Sequence, residues 1–171
     1  MPEDMPEAIT IQPLTRDAFA PFGEVVEFEG RDSFPINNGM ADRYHELAGV
    51  ELEGEQSRAI ISLVASHQFD MPRRVDHLEY HPFGSQAFLP LDSSRFIVVV
   101  SPAADNPDLE QLRAFVTNGK QGINYNLGTW HHVLLTPYAA MRFICVDRAG
   151  PGHNCVDYQI PEPEQPLLRL P

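Results

Sequence analysis

The first candidate site lies in residues 77–91, where histidines alternate with a carboxylate. His77, Glu79 and His81 occupy every second position, and alternate side chains of an extended segment lie on one face. Imidazole nitrogens and carboxylate oxygens can bind a divalent transition metal or transfer protons. A solvated edge strand with a polar outer face would produce the same pattern, so both interpretations stay open for this segment.

A second candidate is the pair His131 and His132, which precedes the apolar run 133–135. The run predicts a buried strand, and neighbouring side chains of a strand point to opposite faces. We therefore expect only one of His131 and His132 to face a barrel interior, and the other to face solvent or a partner chain. The alternative is one hydrogen-bonded packing histidine beside one surface histidine.

Short predicted strands surround both candidates. β-Branched and aromatic residues fill these strands, and turn residues separate them; glycines 119, 122 and 128 predict turns. Helical signals are confined to one turn after Thr15 and another at 109–112. The pattern predicts an all-β fold, a barrel or jelly roll with few short helices, which can hold one small ligand. The predicted strands are 9–11, 24–28, 59–65, 77–81, 87–91, 96–101, 114–117, 133–135 and 142–147.

The length and composition fit one β-rich unit. A chain of 171 residues is long enough for one well-packed core and short for two domains. Its 16 prolines and 11 glycines are spread along the chain, as is typical of a fold with many turns. We predict a single domain over residues 1–171, in which residues 160–171 form an extended Pro-rich tail.

Charge and hydropathy argue against several classes of partner. The formal net charge is −12, whereas nucleic acids and anionic membranes are bound by basic patches. The longest apolar run, 96–100, is too short to span a bilayer. The acidic segment 1–7 lacks the apolar stretch of a signal peptide, so a cytoplasmic protein is expected. The predicted partner is a small molecule, with no nucleic acid and no membrane.

The spacing of the two candidate segments resembles a known pair of motifs. Glu79-x-His81-x4-Gln86 resembles the first cupin motif, H-x-H-x4-E, with Glu in place of the first His and Gln in place of the Glu. Gly128-x2-His131 resembles the second motif, P-x-G-x2-H, without its proline. The resemblance implies that His131 is the histidine that faces the interior, which leaves His132 facing solvent or a partner chain. The set would offer a metal one carboxylate, two imidazoles and one amide.

Longer segments carry a more specific resemblance. They include H-P-F-G-S-Q-A-F-L-P-L and V-D-R-A-G-P-G-H-N-C, and they are residues 37–47, 81–91, 112–125, 130–132 and 146–155. In wording and order they resemble the ureidoglycolate lyases, a cupin family. The resemblance implies a cupin-like β-barrel, a homodimer, and cleavage of (S)-ureidoglycolate into glyoxylate and urea in allantoin and purine catabolism.

The resemblance also implies roles for the candidate residues. Glu79, His81 and His131 are the expected catalytic residues. If a metal is bound, the same three residues and Gln86 are the expected ligands. The resemblance suggests a divalent ion, nickel among them, and metal-independent chemistry stays open. Gln86 is otherwise expected to orient the urea group.

The substrate carries a carboxylate, which a cationic side chain should hold. Arginine is suited to this because its planar fork binds a carboxylate through two parallel hydrogen bonds. Arg43, in one of the family-like segments, is the first candidate. Arg148 is the second, and a structural salt bridge with Asp147 is the alternative role for it.

Two other functions stay open at this point. Glu79, His81 and His131 supply the two-His, one-carboxylate set of metal-dependent dioxygenases, so another cupin enzyme, a dioxygenase or an isomerase, is one alternative. A non-enzymatic cupin that binds a small ligand is the other. Oxygen uptake with added Fe(II) distinguishes the first alternative, and ligand binding without turnover distinguishes the second.

Overall fold

The computed structural model describes residues 8–171. The acidic segment 1–7, on which the expectation about a signal peptide rested, lies outside the described residues. The strands are β1 (Ala8–Ile9), β2 (Ile11–Pro13), β3 (Gly23–Val26), β4 (Phe34–Ile36), β5 (Ala41–Arg43), β6 (Arg58–Ser66), β7 (Arg73–Arg74), β8 (His77–Tyr80), β9 (Gln86–Pro90), β10 (Ile97–Ser101), β11 (Arg113–Val116), β12 (Gly122–Tyr125), β13 (Trp130–His131), β14 (Met141–Ala149), β15 (Val156–Gln159) and β16 (Leu167–Leu168).

Helical structure is short, as predicted. The α-helix α1 spans Arg16–Phe19, and the Thr15 side chain caps it by accepting a hydrogen bond from the Ala18 backbone N–H. Single 3-10 turns lie at Asn37–Gly39, Leu109–Gln111 and Glu162–Glu164. In the described part of the chain, no helix is long and apolar enough to cross a bilayer. The predicted all-β class with few short helices is confirmed.

Two sheets face each other across the first core. One sheet has the strand order β15-β8-β13-β10-β11-β2, and the other has the order β3-β12-β9-β14-β6. Both contribute to one buried apolar cluster, with Val98 and Phe115 from the first sheet and Ile123 and Phe143 from the second. This two-sheet arrangement is the cupin-like architecture expected from the sequence, and its interior is where the candidate site lies.

A second core lies on the outer face of the six-stranded sheet. All five residues of β10 are buried. Val98 and Val100 belong to the first core, whereas Ile97 and Val99 belong to the second. Successive side chains of a strand point to opposite faces, so a strand that is covered on both faces is apolar at consecutive positions.

The C-terminal segment closes this second core. Residues 160–171 contain the 3-10 turn Glu162–Glu164 and the strand β16, which pairs with β1 in parallel and with β7 in antiparallel fashion. Leu168 is fully buried in the second core. The segment is largely extended, as expected, but it is packed into the fold through this leucine.

The main error in strand prediction concerns residues 133–135. The other predicted strands coincide with observed strands to within a few residues. In this region the observed strand is β13, which ends at His131, before the predicted strand begins. His131 pairs with Val100, whereas Leu135 pairs with Ile97. An unbroken register would set the residue before Leu135 opposite Ile97, so the chain accommodates one extra residue as a β-bulge.

The glycines of the 119–128 region have two different roles. Gly119 and Gly128 adopt positive φ angles of 89° and 84°, which fits the predicted turns. Gly122 begins β12 instead, a strand that the sequence analysis missed. A Cβ there would lie 2.9 Å from Leu89 Cδ2 and 3.0 Å from the Phe88 carbonyl oxygen. Gly122 thus allows close strand packing and makes no turn.

Candidate active site

Strand register places Glu79 and His131 side by side in the six-stranded sheet. His131 of β13 pairs with Glu79 of β8 on one side and with Val100 of β10 on the other. Directly paired residues project to the same face of a sheet, and Val100 belongs to the first core. Both side chains therefore face the space between the sheets, as predicted for His131.

The other members of the predicted set join them there. Gln86 lies on the facing sheet, and its Oε1 is 3.2 Å from His81 Nε2 and 3.4 Å from His131 Nε2. Glu79 Oε1 is 3.9 Å from His131 Nε2. Glu79, His81 and His131 can place one ligand atom each within 4.8 Å of one another. The predicted convergence of these four residues is confirmed.

Hydrogen bonds determine which imidazole nitrogens carry protons. His81 Nδ1 lies 2.7 Å from the Asn154 carbonyl oxygen, and His131 Nδ1 lies 3.3 Å from the Glu79 carbonyl oxygen. A carbonyl oxygen only accepts, so each Nδ1 is protonated and donates. In the neutral ring, each Nε2 then presents a lone pair.

The Gln86 amide is oriented in the same way. Its Nε2 donates to Asp147 Oδ2 at 3.1 Å, which turns its Oε1 toward the two imidazoles. Four acceptors then face one another without a donor among them: the Nε2 atoms of His81 and His131, and the Oε1 atoms of Glu79 and Gln86. A divalent cation or a shared proton, placed among these four acceptor atoms, offsets the repulsion between their lone pairs. This mixture of nitrogen and oxygen ligands fits a divalent transition metal.

His131 is suited to a neutral role. Burial, followed by the neighbouring histidines His81, His132 and His77 in that order, lowers its pKa to about 3. The ring is therefore neutral near pH 7. It can act as a metal ligand or a hydrogen-bond acceptor, and it carries no proton on Nε2 to give away.

Cys155 contacts the cluster from outside it. Its Sγ lies 3.4 Å from Glu79 Oε2. Burial, followed by the charge and hydrogen bond of Glu79 and then those of Asp157, raises the pKa of the thiol to about 12. The protonated thiol donates to Oε2 and leaves Oε1 of Glu79 facing the imidazoles. The sequence analysis missed this contact, because nothing in the motif spacing links residues 79 and 155.

His132 was predicted to face solvent or a partner chain, and this prediction is wrong. The residue is 1% exposed within the single chain. Its Nδ1 donates to the His77 carbonyl oxygen at 2.8 Å, and His77 Nδ1 in turn lies 2.8 Å from Asp76 Oδ1. The bulge after β13 changes the direction of the chain, and the segment that enters β8 covers the ring. Burial lowers the pKa of His132.

Glu79, Gln86 and His131 line a cavity of about 520 Å³, whereas His81 does not line it. The walls of the cavity are largely apolar and come from both sheets. The lining residues are Val64, Ala65, Ser66, His67, Phe69, Glu79, Gln86, Phe88, Tyr125, His131, His132, Val133, Leu134 and Phe143. A cavity of this size that joins apolar walls to a few convergent polar groups is typical of a small-molecule site.

One family model matches nearly the whole chain. It is the model described as ureidoglycolate lyase, and it matches residues 6–166. The chain belongs to the ureidoglycolate lyase family. The match includes the four clustered residues, Cys155 and every residue that lines the cavity.

Individual relatives agree with this. Ureidoglycolate lyases of Pseudomonas paraeruginosa and Stutzerimonas stutzeri are each 51% identical over 160 residues, covering 94% of this chain and 95% and 94% of the relatives. The ureidoglycolate lyase of Pseudomonas aeruginosa is 50% identical over 160 residues, covering 94% of this chain and 95% of its own. The family assignment thus extends over essentially the full length of these relatives.

Solved structures with detectable similarity are more distant. Two oxalate decarboxylase structures, one of them a mutant of the Bacillus subtilis protein, match 64% of this chain at 13% identity. Their TM-scores are 0.35 and 0.34, and this chain covers 30% and 29% of their length. A similarity this low carries no argument about the present site.

The two arginines predicted to bind a carboxylate lie away from the cavity. Arg43 is exposed on β5, opposite Phe34 in the β4–β5 hairpin. Arg148 is 7% exposed; its Nε donates to Ser57 Oγ and its Nη2 to the Pro151 carbonyl oxygen, both at 2.8 Å. Within a single chain, neither arginine lines the cavity. The hydrogen bonds of Arg148 connect the segments that carry Ser57 and Pro151.

We expect the metal-free protein to lose stability as the pH falls below about 6.5, the pKa of an unfolded histidine. His131 has a pKa of about 3 when folded, so between these values the unfolded state binds more protons and acid favours unfolding. The slope for one proton is about 1.4 kcal/mol per pH unit. Denaturation by guanidinium chloride with chelator present, between pH 7 and pH 5, measures it.

The His131→Gln variant should show a shallower slope, because it lacks this titrating group. His132, whose pKa burial also lowers, contributes in the same direction and remains in that variant. The exposed His45 provides the control: His45→Ala should keep the wild-type slope. An unchanged slope in His131→Gln would show that folding does not lower the pKa of His131.

Proposed function

We propose that this protein is a lyase that cleaves (S)-ureidoglycolate into glyoxylate and urea, in allantoin and purine catabolism. The observation that carries the proposal is the cluster of Glu79, His81, Gln86 and His131, three of which, Glu79, Gln86 and His131, line a mostly apolar cavity. Curated ureidoglycolate lyases that share half of the sequence support the choice of substrate.

The reaction moves one proton and breaks one bond. The carbinol hydroxyl loses its proton as its oxygen forms the C=O bond of glyoxylate. The electron pair of the C–N bond leaves with the ureido nitrogen, which takes up a proton and becomes an NH2 group of urea. Glyoxylate and urea account for every atom of the substrate, so no water is consumed.

We assign the proton transfers to Glu79 and His81. Glu79 Oε1 faces the cluster while Cys155 holds Oε2, so one carboxylate oxygen is directed at the cavity. His81 is fixed by the Asn154 carbonyl, which leaves its Nε2 to exchange a proton. Positioned groups of this kind typically accelerate a reaction by about 10²–10⁴-fold. His131 is the third catalytic member, and as a neutral ring it orients the reacting groups.

The same residues would hold a divalent cation. Glu79, His81, Gln86 and His131 are the proposed ligands, and nickel is the ion that the family resemblance suggests. When bound, such an ion supplies Lewis-acid polarisation that makes a hydroxyl more acidic. Cys155 and Asp147, which hold Glu79 and Gln86 through hydrogen bonds, keep the ligand atoms turned inward in either case.

A coupled assay for glyoxylate and urea tests this function directly. Purified protein with (S)-ureidoglycolate should release the two products in equal amounts. The same assay after treatment with a chelator, and after readdition of Ni²⁺ or Mn²⁺, determines whether the metal is required. Release of ammonia in stoichiometric amount would contradict the proposal, because it would indicate hydrolysis of the ureido group.

The structure adds a third candidate for the carboxylate holder, Arg73. Its guanidinium carbon lies 4.8 Å from the centroid of the Phe69 ring. Phe69 lines the cavity, whereas Arg73, one ring away, does not line it directly. Its Nε is buried without a hydrogen-bond partner among residues 8–171. Arg43, our first prediction from the sequence, does not reach the cavity within one chain, so its role requires the proposed homodimer.

We expect Arg73→Lys to raise KM for ureidoglycolate about tenfold, because the substitution keeps the charge and removes the two-pronged hydrogen bond. Glyoxylate inhibition should weaken in parallel, since glyoxylate keeps the carboxylate. Arg43→Lys and Arg148→Lys are the matched comparisons, measured by steady-state kinetics with a melting curve for each variant. A raised KM in either of these, with Arg73→Lys unaffected, would support the assignment made from the sequence.

A second candidate function is supported by one observation. Glu79, His81 and His131 form a two-His, one-carboxylate group, which is the ligand set of non-haem Fe(II) oxygenases. Oxygen uptake after addition of Fe(II), in the absence of urea release, would favour that function. Binding of ureidoglycolate with no turnover under any metal would favour a non-enzymatic ligand-binding protein.

We further propose that the chain forms a single domain, acts in the cytoplasm and assembles as a homodimer. The family resemblance and the surface of β6 support the homodimer. This strand lies at the edge of the five-stranded sheet, and its Ile61 and Leu63 are 77% and 76% exposed. An unpaired apolar edge strand is suited to association with another chain, and sedimentation measures the mass of the assembly.

A further inference from the structure

The Tyr125 hydroxyl is a buried polar group that no proposed catalytic step uses. Tyr125 is 2% exposed, and its hydroxyl has no hydrogen-bond partner among residues 8–171. Its ring packs edge-on against His131 with 4.3 Å between ring centroids. Buried hydroxyls nearly always have a partner, because an unpaired one costs free energy.

The position of Tyr125 indicates what kind of partner is missing. Tyr125 pairs with Gln86 across β12 and β9, and it lines the same cavity as Glu79 and His131. Tyr125 thus belongs to the same cavity wall as Glu79, Gln86 and His131. A ligand that enters the cavity is the group that can accept its hydrogen bond.

The Tyr125 hydroxyl is protonated, so it can donate a hydrogen bond to a ligand. Burial raises the pKa of the hydroxyl, and the nearby charge of Glu79 raises it further. The side chain is therefore a neutral phenol at every physiological pH. The proximity of Glu79 also opposes placement of the substrate carboxylate beside Tyr125, since two anions repel. The uncharged ureido carbonyl is the better match.

We propose that Tyr125 is a catalytic residue that donates a hydrogen bond to the ureido carbonyl oxygen of the substrate. The proposal rests on the function proposed above. As the C–N bond breaks, its electron pair is shared between the ureido nitrogen and this oxygen, so the oxygen becomes more negative. The hydrogen bond strengthens at that moment. The phenolic proton stays on Tyr125, and the proton that reaches the nitrogen is the one removed from the carbinol hydroxyl.

The Tyr125→Phe variant tests this, because it removes one oxygen and keeps the ring that packs on His131. Loss of a donor to a developing negative charge typically lowers kcat by about 10²–10³-fold. We expect a decrease of this size with KM nearly unchanged, since the interaction forms mainly in the transition state. Glyoxylate lacks the ureido group, so its inhibition constant should not change. The melting temperature should be equal or higher, because an unpaired buried hydroxyl is gone.

Tyr158→Phe is the matched control. Tyr158 packs against the second core, on the far side of the six-stranded sheet from the cavity, and its loss should leave kcat and KM unchanged. Wild-type kcat in Tyr125→Phe would overturn the assignment while leaving the proposed function intact. A raised KM with weaker glyoxylate inhibition and unchanged kcat in Tyr125→Phe would also overturn the assignment, because it would indicate that Tyr125 contacts the substrate carboxylate. A wild-type protein that releases no urea would refute the proposed function, and this assignment with it.

Discussion

Replacing His81 with alanine, or Glu79 with glutamine, is expected to lower kcat for ureidoglycolate by about 10²–10⁴-fold, the usual contribution of a positioned acid or base. Glu79→Gln keeps the shape of the side chain and can still accept from Cys155, but it removes the negative charge beside His131. His81→Ala removes the Nε2 that faces Gln86. Release of glyoxylate and urea by each variant measures the effect.

Two exposed residues provide the controls for these variants. His45→Ala and Glu110→Gln repeat the same chemical changes far from the cavity, and both should retain wild-type kinetics. Melting curves of all four proteins separate catalysis from folding, since only correctly folded variants are informative. Full activity in both His81→Ala and Glu79→Gln would remove these residues from the mechanism, and the proton transfers would have to be assigned again.

The second large effect concerns stability and the C-terminal segment. Leu168→Ala should lower the free energy of unfolding by about 2–5 kcal/mol, as is typical when a buried leucine is truncated in a packed core. Leu168 is fully buried and is carried by β16, which joins β1 to β7. Guanidinium chloride denaturation is the appropriate measurement, because urea is a proposed product and would complicate the comparison.

Leu91→Ala is the control for this substitution. Leu91 is 51% exposed, and truncation of an exposed side chain usually changes stability by no more than about 0.5 kcal/mol. A loss in Leu168→Ala no larger than in Leu91→Ala would mean that β16 detaches easily in solution. In that case the C-terminal segment would behave as the surface tail that the proline content alone predicts.

The sequence by itself was sufficient for the fold class and for the members of the cluster. Short strands that alternate apolar and polar residues are local patterns, and local patterns determine which residues share a face. The two motif-like spacings identified Glu79, His81, Gln86 and His131, and the structure brings their side chains together. The longer family-like segments led to the family that the comparisons show.

Other features depended on contacts between distant parts of the chain. His132 is buried because a one-residue bulge follows β13 and the entry to β8 covers its ring. Alternation along a strand predicts the opposite, and a bulge interrupts alternation. Cys155 contacts Glu79 because β15 pairs with β8, and no spacing rule connects two residues so far apart.

The assignment of arginines shows the same limit. Arg43 and Arg148 were chosen for their chemistry and their place in family-like segments, but chemistry alone does not say which surface a side chain reaches. The fold puts Arg43 on an exposed hairpin, uses Arg148 to join two loops, and stacks Arg73 on a wall of the cavity.

Tyr125 shows the difference between what the local sequence and what the tertiary structure determine. In the sequence it is one aromatic residue in a glycine-rich region, for which packing is the ordinary role. Only the pairing of β12 with β9 and the closure of the two sheets bury its hydroxyl, beside the cavity and with no hydrogen-bond partner in the described part of the chain. Local sequence determined the face on which each residue lies. The tertiary structure determined which groups each face contacts, because these contacts depend on the register and packing of strands that are distant in the chain.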